Sequence, residues 1–481
     1  MVKTIGNVQQ DAQVRAVASG ALSNGDTIIV NSDGTVSAVE GSDEATGTPV
    51  VAVAEYATYT SAAYDVNAQK VVIAYQANND SGKGKAVVGT VSGTSISFGT
   101  PVVFENANTT YISAVYDANA QKIVIAYRDG GNVNAGTAIV GTVSGTSISF
   151  GSPTVFESVN STYIGITYDS NAQKVVVSYR DNGNSDYGTA AVGTVSGTSI
   201  SFGTPVVFES ATTEYTAITY DSDQQKVVIA YRDMGNSNLG TAIVGTVSGT
   251  SISFGSPTVF HSSGSSRYIT ATYDTSAQKT VIFFQDDGNS FYGTAVVGTV
   301  SGTSISFGTA AIFNSAGTTW KHSVYDSGSG KVVCFYPNGG NGGAGTLAIG
   351  TVSGTSISFD TPIVITTNQV EYSGATYDSV DNNVIVSYRD GSNSSELTSA
   401  VYSAGSTNLT AENFIGFADG AYADTQSAVI NTTCSVARNQ TSLTAGQKYY
   451  VQTDGALGLT PADPSVEAGT AISSTEILVK G

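Results

Sequence analysis

The dipeptide Tyr-Asp returns along this 481-residue chain at Tyr64, Tyr116, Tyr168, Tyr220, Tyr273, Tyr325 and Tyr377, spaced by 52, 52, 52, 53, 52 and 52 residues. A fixed period of that length means one supersecondary unit stacked on copies of itself, and it restricts the fold more than any other feature. A second marker, GTVSGTSISF, begins at Gly89, Gly141, Gly193, Gly245, Gly298 and Gly350. Six units carry it whole, and a seventh is altered after Tyr402.

Each unit reads as four strands. In the copy spanning 110 to 157 the first is Thr110 to Tyr116, closed by the turn Asp117-Ala118-Asn119-Ala120. Lys122 to Tyr127 is apolar almost throughout, as suits a strand buried on both faces. Gly136 to Val143 is built from small residues, and Ser144-Gly145 turns tightly into Thr146 to Phe150, whose alternating polarity predicts a half-exposed strand. A proline follows at Pro153, and at Pro101, Pro205, Pro257 and Pro362 in sister units, where a missing backbone donor is tolerable only at a sheet edge.

Four antiparallel strands, buried in the middle, polar at one edge and repeated seven times, predict an all-β fold: a seven-bladed β-propeller over residues 46–405. A β-solenoid is the alternative, but its coils are usually shorter and need no hairpins; nothing has the 3.6-residue period of a helical repeat. Gly47-Thr48-Pro49-Val50-Val51 copies the end of a fourth strand, as in Gly203 to Val207, yet precedes the first unit. It is expected to complete the final blade and close the ring, with Gly47 to Val53 pairing there.

The flanks, residues 1–45 and 406–481, resemble each other. Thr27-Ile28-Ile29-Val30 with Asp33-Gly34 matches Lys448-Tyr449-Tyr450-Val451 with Asp454-Gly455, and both read as hairpins. Each flank is too short for a sound core, so the two are expected to form one small β domain into which the propeller is inserted. Ala423 to Ile430 and Ala471 to Val479 would add strands.

Composition narrows the function classes. Hydrophobic residues make up 40% of the chain, enough for a large core. Asp and Glu outnumber Lys and Arg 38 to 19; a formal charge of −19 with no basic run argues against nucleic acid and anionic lipid as partners. The longest apolar stretches, such as Thr280 to Phe284, are too short for a membrane-spanning helix, so no membrane insertion is expected. MVKTIGNVQQDAQVRAV lacks the apolar segment of a signal peptide, which points to synthesis in a cytoplasm. Cys334 and Cys434 cannot by themselves make a disulfide framework or a zinc site, and Cys334 reads as a core residue of a second strand.

The flank segments VASGALSNGDTIIVNSDGTVSAV, NLTAENFIGFADGAYADTQSAVI, SLTAGQKYYVQTDGALGLTP and AGTAISSTEILVKG resemble virion-surface proteins of tailed marine bacteriophages, among them tail-fibre-like, head-fibre and capsid-decoration proteins. The resemblance covers about a quarter of the chain and implies a virion-surface location, docking to other virion proteins through the flanks, and a display domain inserted between them. It carries no catalytic motif and is compatible with a homo-oligomer.

Within the repeats, the Val-Ser-Gly-Thr-Ser turns of one face are monotonous, whereas the opposite face, made of the loops between strands 2 and 3 and between strands 4 and 1, varies. Exposed aromatics beside amides and carboxylates suit sugar rings, so Tyr187, Arg267, Phe291, Tyr292 and Trp320 are the candidate ligand contacts; His261, Lys321 and His322 also replace small polar residues there. Drift on a solvated loop surface is the structural alternative. Arg128, Arg180, Arg232 and Arg389 recur in Arg-Asp pairs and read as structural, each partnered by its adjacent carboxylate, such as Asp129. Sialidase Ser-x-Asp-x-Gly-x-x-Trp boxes are absent, and repeat symmetry works against the unequal environments a catalytic centre needs. Asp181, Asn184 and Asp186 lack the spacing of calcium loops and read as Asx turns, so no metal, no cofactor and no catalytic residue is expected. The sequence thus points to a non-enzymatic virion appendage, a tail fibre or head-fibre or decoration protein, whose propeller adheres to a host or environmental glycan. A decoration protein without a ligand and a glycan-degrading propeller enzyme are the alternatives.

Overall fold

The computed structural model describes residues 12–42, 44–462 and 464–480; positions 1–11 of the expected N-terminal flank, Asp43, Asp463 and Gly481 lie outside the described residues. The protein is all-β and antiparallel, with four single-turn 3-10 segments and, among the described residues, no helix long and apolar enough to cross a membrane. Its contacts divide the chain into two compact units: Thr46–Ser403, and the described residues of Met1–Ala45 together with Ala404–Gly481.

Thr46–Ser403 is propeller-like. In the copy used above, Thr109–Asp117 pairs with Lys122–Asp129, that strand with Ala135–Ser144, and that one with Ser147–Phe150. The second and third strands bury nearly every side chain because sheets cover both of their faces, whereas the fourth alternates buried and exposed. The prolines fall where the outer strand breaks between Phe150 and Thr154, so no ladder hydrogen bond is lost.

One expectation fails. In this copy the connection from the fourth strand to the next first strand is not a loop but a single 16-residue strand, Val102–Asp117, whereas in the fifth and sixth units it is broken, as expected, at 262–265 and 318–321. The beginning of Val102–Asp117 pairs with Lys83–Ala86 of the preceding unit and its end with Lys122–Asp129 of its own, so Asn108, Thr109 and Thr110 are paired where the chain passes from one sheet to the next, with Asn106 and Ala107 in the register shift before them.

The Tyr-Asp marker has a structural cause. Asp117 Oδ1 accepts the Asn119 and Ala120 N–H groups of its own hairpin, and Asp65, Asp169, Asp221, Asp274, Asp326 and Asp378 repeat this cap. The tyrosine before it reaches the hairpin of the preceding unit: the Tyr168 hydroxyl accepts from Asn119 N–H at 3.2 Å and that of Tyr377 from Gly328 N–H at 2.8 Å. At the ends of the repeat region, Val50, Val51 and Val53 pair with Ser399, Thr398 and Leu397, and Gly47 N–H donates to Val401 O at 2.8 Å.

Close approach between units explains one recurrent glycine. A Cβ on Gly99, Gly151, Gly203, Gly255 or Gly308 would lie 1.9 Å from the carbonyl oxygen of Thr146, Thr198, Thr250, Thr303 or Thr355 in the following unit's hairpin, and one on Gly47 would lie 1.9 Å from Thr94 O. The sixth unit has Asp360 at this position, and the seventh lacks the hairpin that would meet it.

In the other unit, one sheet runs Gln13–Val17, Ser427–Asn431, Phe414–Ala418, Thr27–Val30, Val36–Ala38, so both flanks supply strands to it. A second holds Val436–Ala437, Ile477–Val479, Val466–Ala471, Lys448–Val451 and Leu457–Gly458. The two hairpins share their turn chemistry, with Asp33 Oδ1 accepting from Thr35 N–H and Asp454 Oδ1 from Ala456 N–H, each at 2.9 Å. Two strand boundaries differ from expectation: Ala471 and Ile477 belong to paired strands around a turn, and the strand expected from Ala423 starts at Ser427.

Candidate functional site

Five residues before each Tyr-Asp stands an aromatic residue: Tyr59, Tyr111, Tyr163, Tyr215, Tyr268, Trp320 and Tyr372. Each has φ between 38° and 52°, beside a register shift such as that between Thr110 and Ser113. The left-handed conformation costs of order 1 kcal/mol or more at a bulky residue. It turns the seven side chains onto one another. Their ring centroids lie 4.2 to 5.4 Å from the next in an unbroken cycle that returns from Tyr372 to Tyr59, and neighbouring planes are tilted by 35° to 63°. Such tilted contacts contribute about 0.5–1.5 kcal/mol each, which offsets the backbone strain. All seven remain half-exposed.

The collar opens on a cavity of about 310 Å³. Beneath each aromatic the next residue forms the wall: Thr60, Ile112, Ile164, Thr216, Ile269, Lys321 and Ser373. The hydroxyls of Thr60, Thr216 and Ser373 donate to the main-chain oxygens of Tyr372, Tyr163 and Trp320, the preceding collar residues. Lys321 makes the same contact with a charged group. Its Nζ donates to Tyr268 O at 2.9 Å and Thr318 O at 3.2 Å and lies 5.8 Å from the Tyr268 ring centroid. Among the described residues no carboxylate stands within ion-pairing distance of it, and burial drives its pKa down to about 7. His322, one step deeper, is held neutral by burial, with a pKa pushed down to about 4. Burial raises the phenols of Tyr59, Tyr111, Tyr163, Tyr215 and Tyr372, that of Tyr215 to about 12, so these five stay protonated and can donate.

Ile112, Ile164 and Ile269 occupy the Lys321 position in sister units, so Lys321→Ile fits the scaffold. We expect it to raise stability by about 1–4 kcal/mol, the usual result of replacing a buried charge by an apolar side chain. The folded-state pKa lies below the usual lysine value, so between about pH 7 and 10 the unfolded chain binds more protons and wild-type stability climbs with pH. That climb should flatten in the variant. Denaturant unfolding at pH 7 and pH 9.5 checks both; an equal or larger pH response in the variant would show that Lys321 is not its source.

Arginines surround the collar. Arg128 lies 5.8 Å from the Tyr111 centroid, and Arg389 lies 5.2 Å from those of Tyr56 and Tyr372. Their partners correct the sequence reading: Arg180 pairs with Asp186 at 2.7 Å and Glu214 at 3.3 Å, Arg232 with Glu214 at 2.8 Å, Arg389 with Glu371, and Arg128 with the Asn134 side chain at 3.1 Å. Adjacent residues of a strand point to opposite faces, so Asp129 cannot turn toward Arg128. It caps the following loop by accepting from Gly131 N–H, and Asp181 likewise accepts from Gly183 and Asn184 N–H, the expected Asx turn.

Four of the five candidate contacts lie on two adjacent units. Trp320 lies, as expected, in the break between the strands Ala311–Gly317 and His322–Asp326, and there it takes the collar place that a tyrosine holds in the other units. Arg267 pairs with Asp287 at 2.8 Å, at the base of the loop whose tip is Phe291, 51% exposed, and which Tyr292 closes. Tyr187 opens the third strand two units earlier and is half-buried. The collar tyrosines were missed, although their constant offset from Tyr-Asp was a signal for them. His261 also differs from expectation: it stands where Glu55, Glu105, Glu157 and Glu209 accept from the hydroxyls of Tyr75, Tyr127, Tyr179 and Tyr231, and Phe284 replaces the tyrosine there. Its ring meets Ser266 Oγ at 3.0 Å and Asp286 Oδ2 at 3.1 Å, the partners of a hydrolytic triad, but all three side chains are buried, Ser266 completely. Cys334 is fully buried with its thiol pushed up to about 12, a core residue without nucleophilic character at neutral pH.

Fold and site together describe an all-β, propeller-like protein with an aromatic-lined central cavity. Its fold is similar to that of BP39L lectin from Burkholderia pseudomallei, with a TM-score of 0.54 and 12% identity over 74% of this chain and 98% of that one. Weaker likenesses are to a leech intramolecular trans-sialidase, TM-score 0.43 and 10% identity over 73% of this chain and 68% of that one, and to a protein of unknown function from Dyadobacter fermentans, TM-score 0.45 and 12% identity over 76% and 99%. At such identities the likeness is one of fold. No protein-family model and no curated protein matches the sequence.

Proposed function

We propose that residues 46–405 are a closed seven-bladed propeller inserted in a small β domain of the flanks, and that the protein is a non-enzymatic virion-surface appendage whose propeller adheres to a host or environmental glycan. The observation that carries the adhesive reading is the asymmetry of the two ends: one repeats the Val-Ser-Gly-Thr-Ser turn, and the other gathers seven half-exposed aromatic rings over a cavity. Aromatic faces with neighbouring hydrogen-bonding groups hold sugar rings. A lectin is among the proteins built on this fold, so the architecture accommodates that use. The ring reading is supported by the unbroken aromatic cycle and by the pairing of Val50–Val53 with Leu397–Ser399. Virion attachment, and other virion proteins as partners, rest on the phage resemblance of the flanks; their interleaved strands fit a self-contained docking module that could also join copies of the chain. The non-enzymatic reading is supported by the ion-paired arginines and the burial of Ser266.

Adhesion is tested with the protein clustered on beads or displayed on whole particles. Replacing Trp320 by alanine should weaken a single site about two- to tenfold, the range of one aromatic contact, and weaken multivalent adhesion further. Replacing Tyr187, Arg267, Phe291, Tyr292 and Trp320 together should abolish adhesion, whereas changes in the turn Ser144-Gly145-Thr146 should leave it intact. Undiminished adhesion by the five-fold variant, still folded, would refute the assignment of the ligand to this face. The flanks joined directly, without residues 46–403, should stay folded and dock on particles lacking the parent protein; failure of that protein to dock would remove attachment from the flanks.

A further inference from the structure

Unit six breaks the symmetry of the collar. It alone has Trp320 in place of tyrosine and Lys321 in place of isoleucine, threonine or serine, and both changes face one cavity. The contact Lys321 makes with Tyr268 O is one that a threonine or serine hydroxyl makes elsewhere in the ring, and three units use isoleucine. The fold therefore does not require a lysine here. What the lysine adds is an ammonium carried into an aromatic-walled cavity, with one of its three N–H donors left over from its two main-chain bonds.

A buried ammonium is costly unless an anion faces it. The groups packed around Lys321 supply none at close range. His322 is neutral, the Cys334 thiol on the adjacent strand stays protonated, Tyr268 offers its ring and its main-chain oxygen, and Asp287, whose charge acts from farther away, pairs with Arg267. At the rim, Arg128 lies over the Tyr111 ring, and among the described residues no carboxylate pairs with it. The cavity volume of about 310 Å³ lies at the lower end of small-molecule sites, roughly 300–1,000 Å³, which suits one sugar residue rather than an oligosaccharide.

We propose that the collar and Lys321 form a site for a single acidic sugar residue at the end of a glycan, its ring held among the aromatics and its negative charge received by the Lys321 ammonium. This rests on the adhesive reading above and names the ligand class. A carboxylate and a sulfate ester are the two sources of such a charge. Affinity for either should fall as Lys321 loses its proton, by up to about tenfold between pH 6 and pH 8 for a group that titrates near 7. Neutral sugars should show no such slope.

Trp320 is the only tryptophan of the chain, so its fluorescence reports on the collar directly. The full-length protein is titrated at pH 6 and pH 8 with galacturonate, glucuronate, N-acetylneuraminate and galactose 6-sulfate, and with galactose and glucose as neutral counterparts. The expected result is saturable binding of at least one acidic sugar, at least tenfold tighter at pH 6 than its neutral counterpart and weakened at pH 8. Sulfate or carboxylate preference identifies the source of the charge. Lys321→Ile should lose the preference for acid and the pH slope while its fold is unchanged. Equal affinity for acidic and neutral sugars, or a preference that survives in Lys321→Ile, would overturn the inference and leave glycan adhesion standing. Absence of any collar signal in a protein that still adheres when clustered would likewise overturn it, placing the ligand on the outer loops. Absence of both the signal and clustered adhesion would bring down the inference and the adhesive reading together.

Discussion

A valine at position 203 is expected to remove most of the stability of the repeat region. The added Cβ alone would sit 1.9 Å from Thr250 O and 2.9 Å from its carbonyl carbon, and both atoms belong to main chain held in a hairpin. Neither side can give without breaking the interlock between successive units. Overpacking of ordinary side chains costs about 1–3 kcal/mol, and a clash against fixed backbone should exceed that. Domains of this kind have only about 5–15 kcal/mol to lose. The control is Asp360, the equivalent residue of the sixth unit, which has no following hairpin to meet; Asp360→Ala should change stability by no more than about 0.5 kcal/mol beyond the loss of its exposed ion pair with Lys331. Thermal unfolding of the two variants checks this, and a stable Gly203→Val protein would mean that the units do not pack at this distance.

Removal of residues 1–53 should have the second large effect. It takes away the strand that pairs with Leu397, Thr398 and Ser399 and leaves Leu397, fully buried in the intact protein, at an open edge. In the closed ring proposed above, opening this one seam removes the mutual support of all the collar contacts. We expect a red-shifted Trp320 emission, a markedly lower unfolding temperature and a loss of cooperativity. Unchanged emission and unfolding would show that the repeats stand without closure.

Much of this architecture was legible because each strand carries its own local signal. The Asp-capped hairpin after Tyr116, the apolar run from Lys122 and the Ser-Gly turn at 144–145 recur in register, and Gly47 to Val51 copies an outer strand in a place where only a partner from the other end could use it. The flank hairpins were legible from their Asp-Gly turns. Two kinds of feature were not. Asn106 to Thr110 looks like a loop from its polarity, yet Asn108, Thr109 and Thr110 are paired, because the strand is shared between two sheets and its main chain finds partners in each whatever the polarity of its side chains. The collar is harder still: a tyrosine in the left-handed region carries no pattern of its own, and Tyr111 reads as one more residue of a strand until the bulge is known. Lys321 and His322 could be seen as departures from the repeat, but only the cavity shows that they face a common space. The pairing of Arg128 with Asp129 was misjudged for want of the same information, since neighbours in sequence are not neighbours on a sheet face.

The central claim is that this propeller binds a glycan and leaves it uncut. Its most direct test is retention of the clustered full-length protein on purified host cell-surface polysaccharide, with released reducing ends assayed in the same vessel. The account predicts retention that grows with clustering, falls when Trp320 and its neighbours on that face are replaced by alanine, and is accompanied by no rise in reducing ends. No retention at any density, or a steady release of reducing sugar by the intact protein, would contradict it.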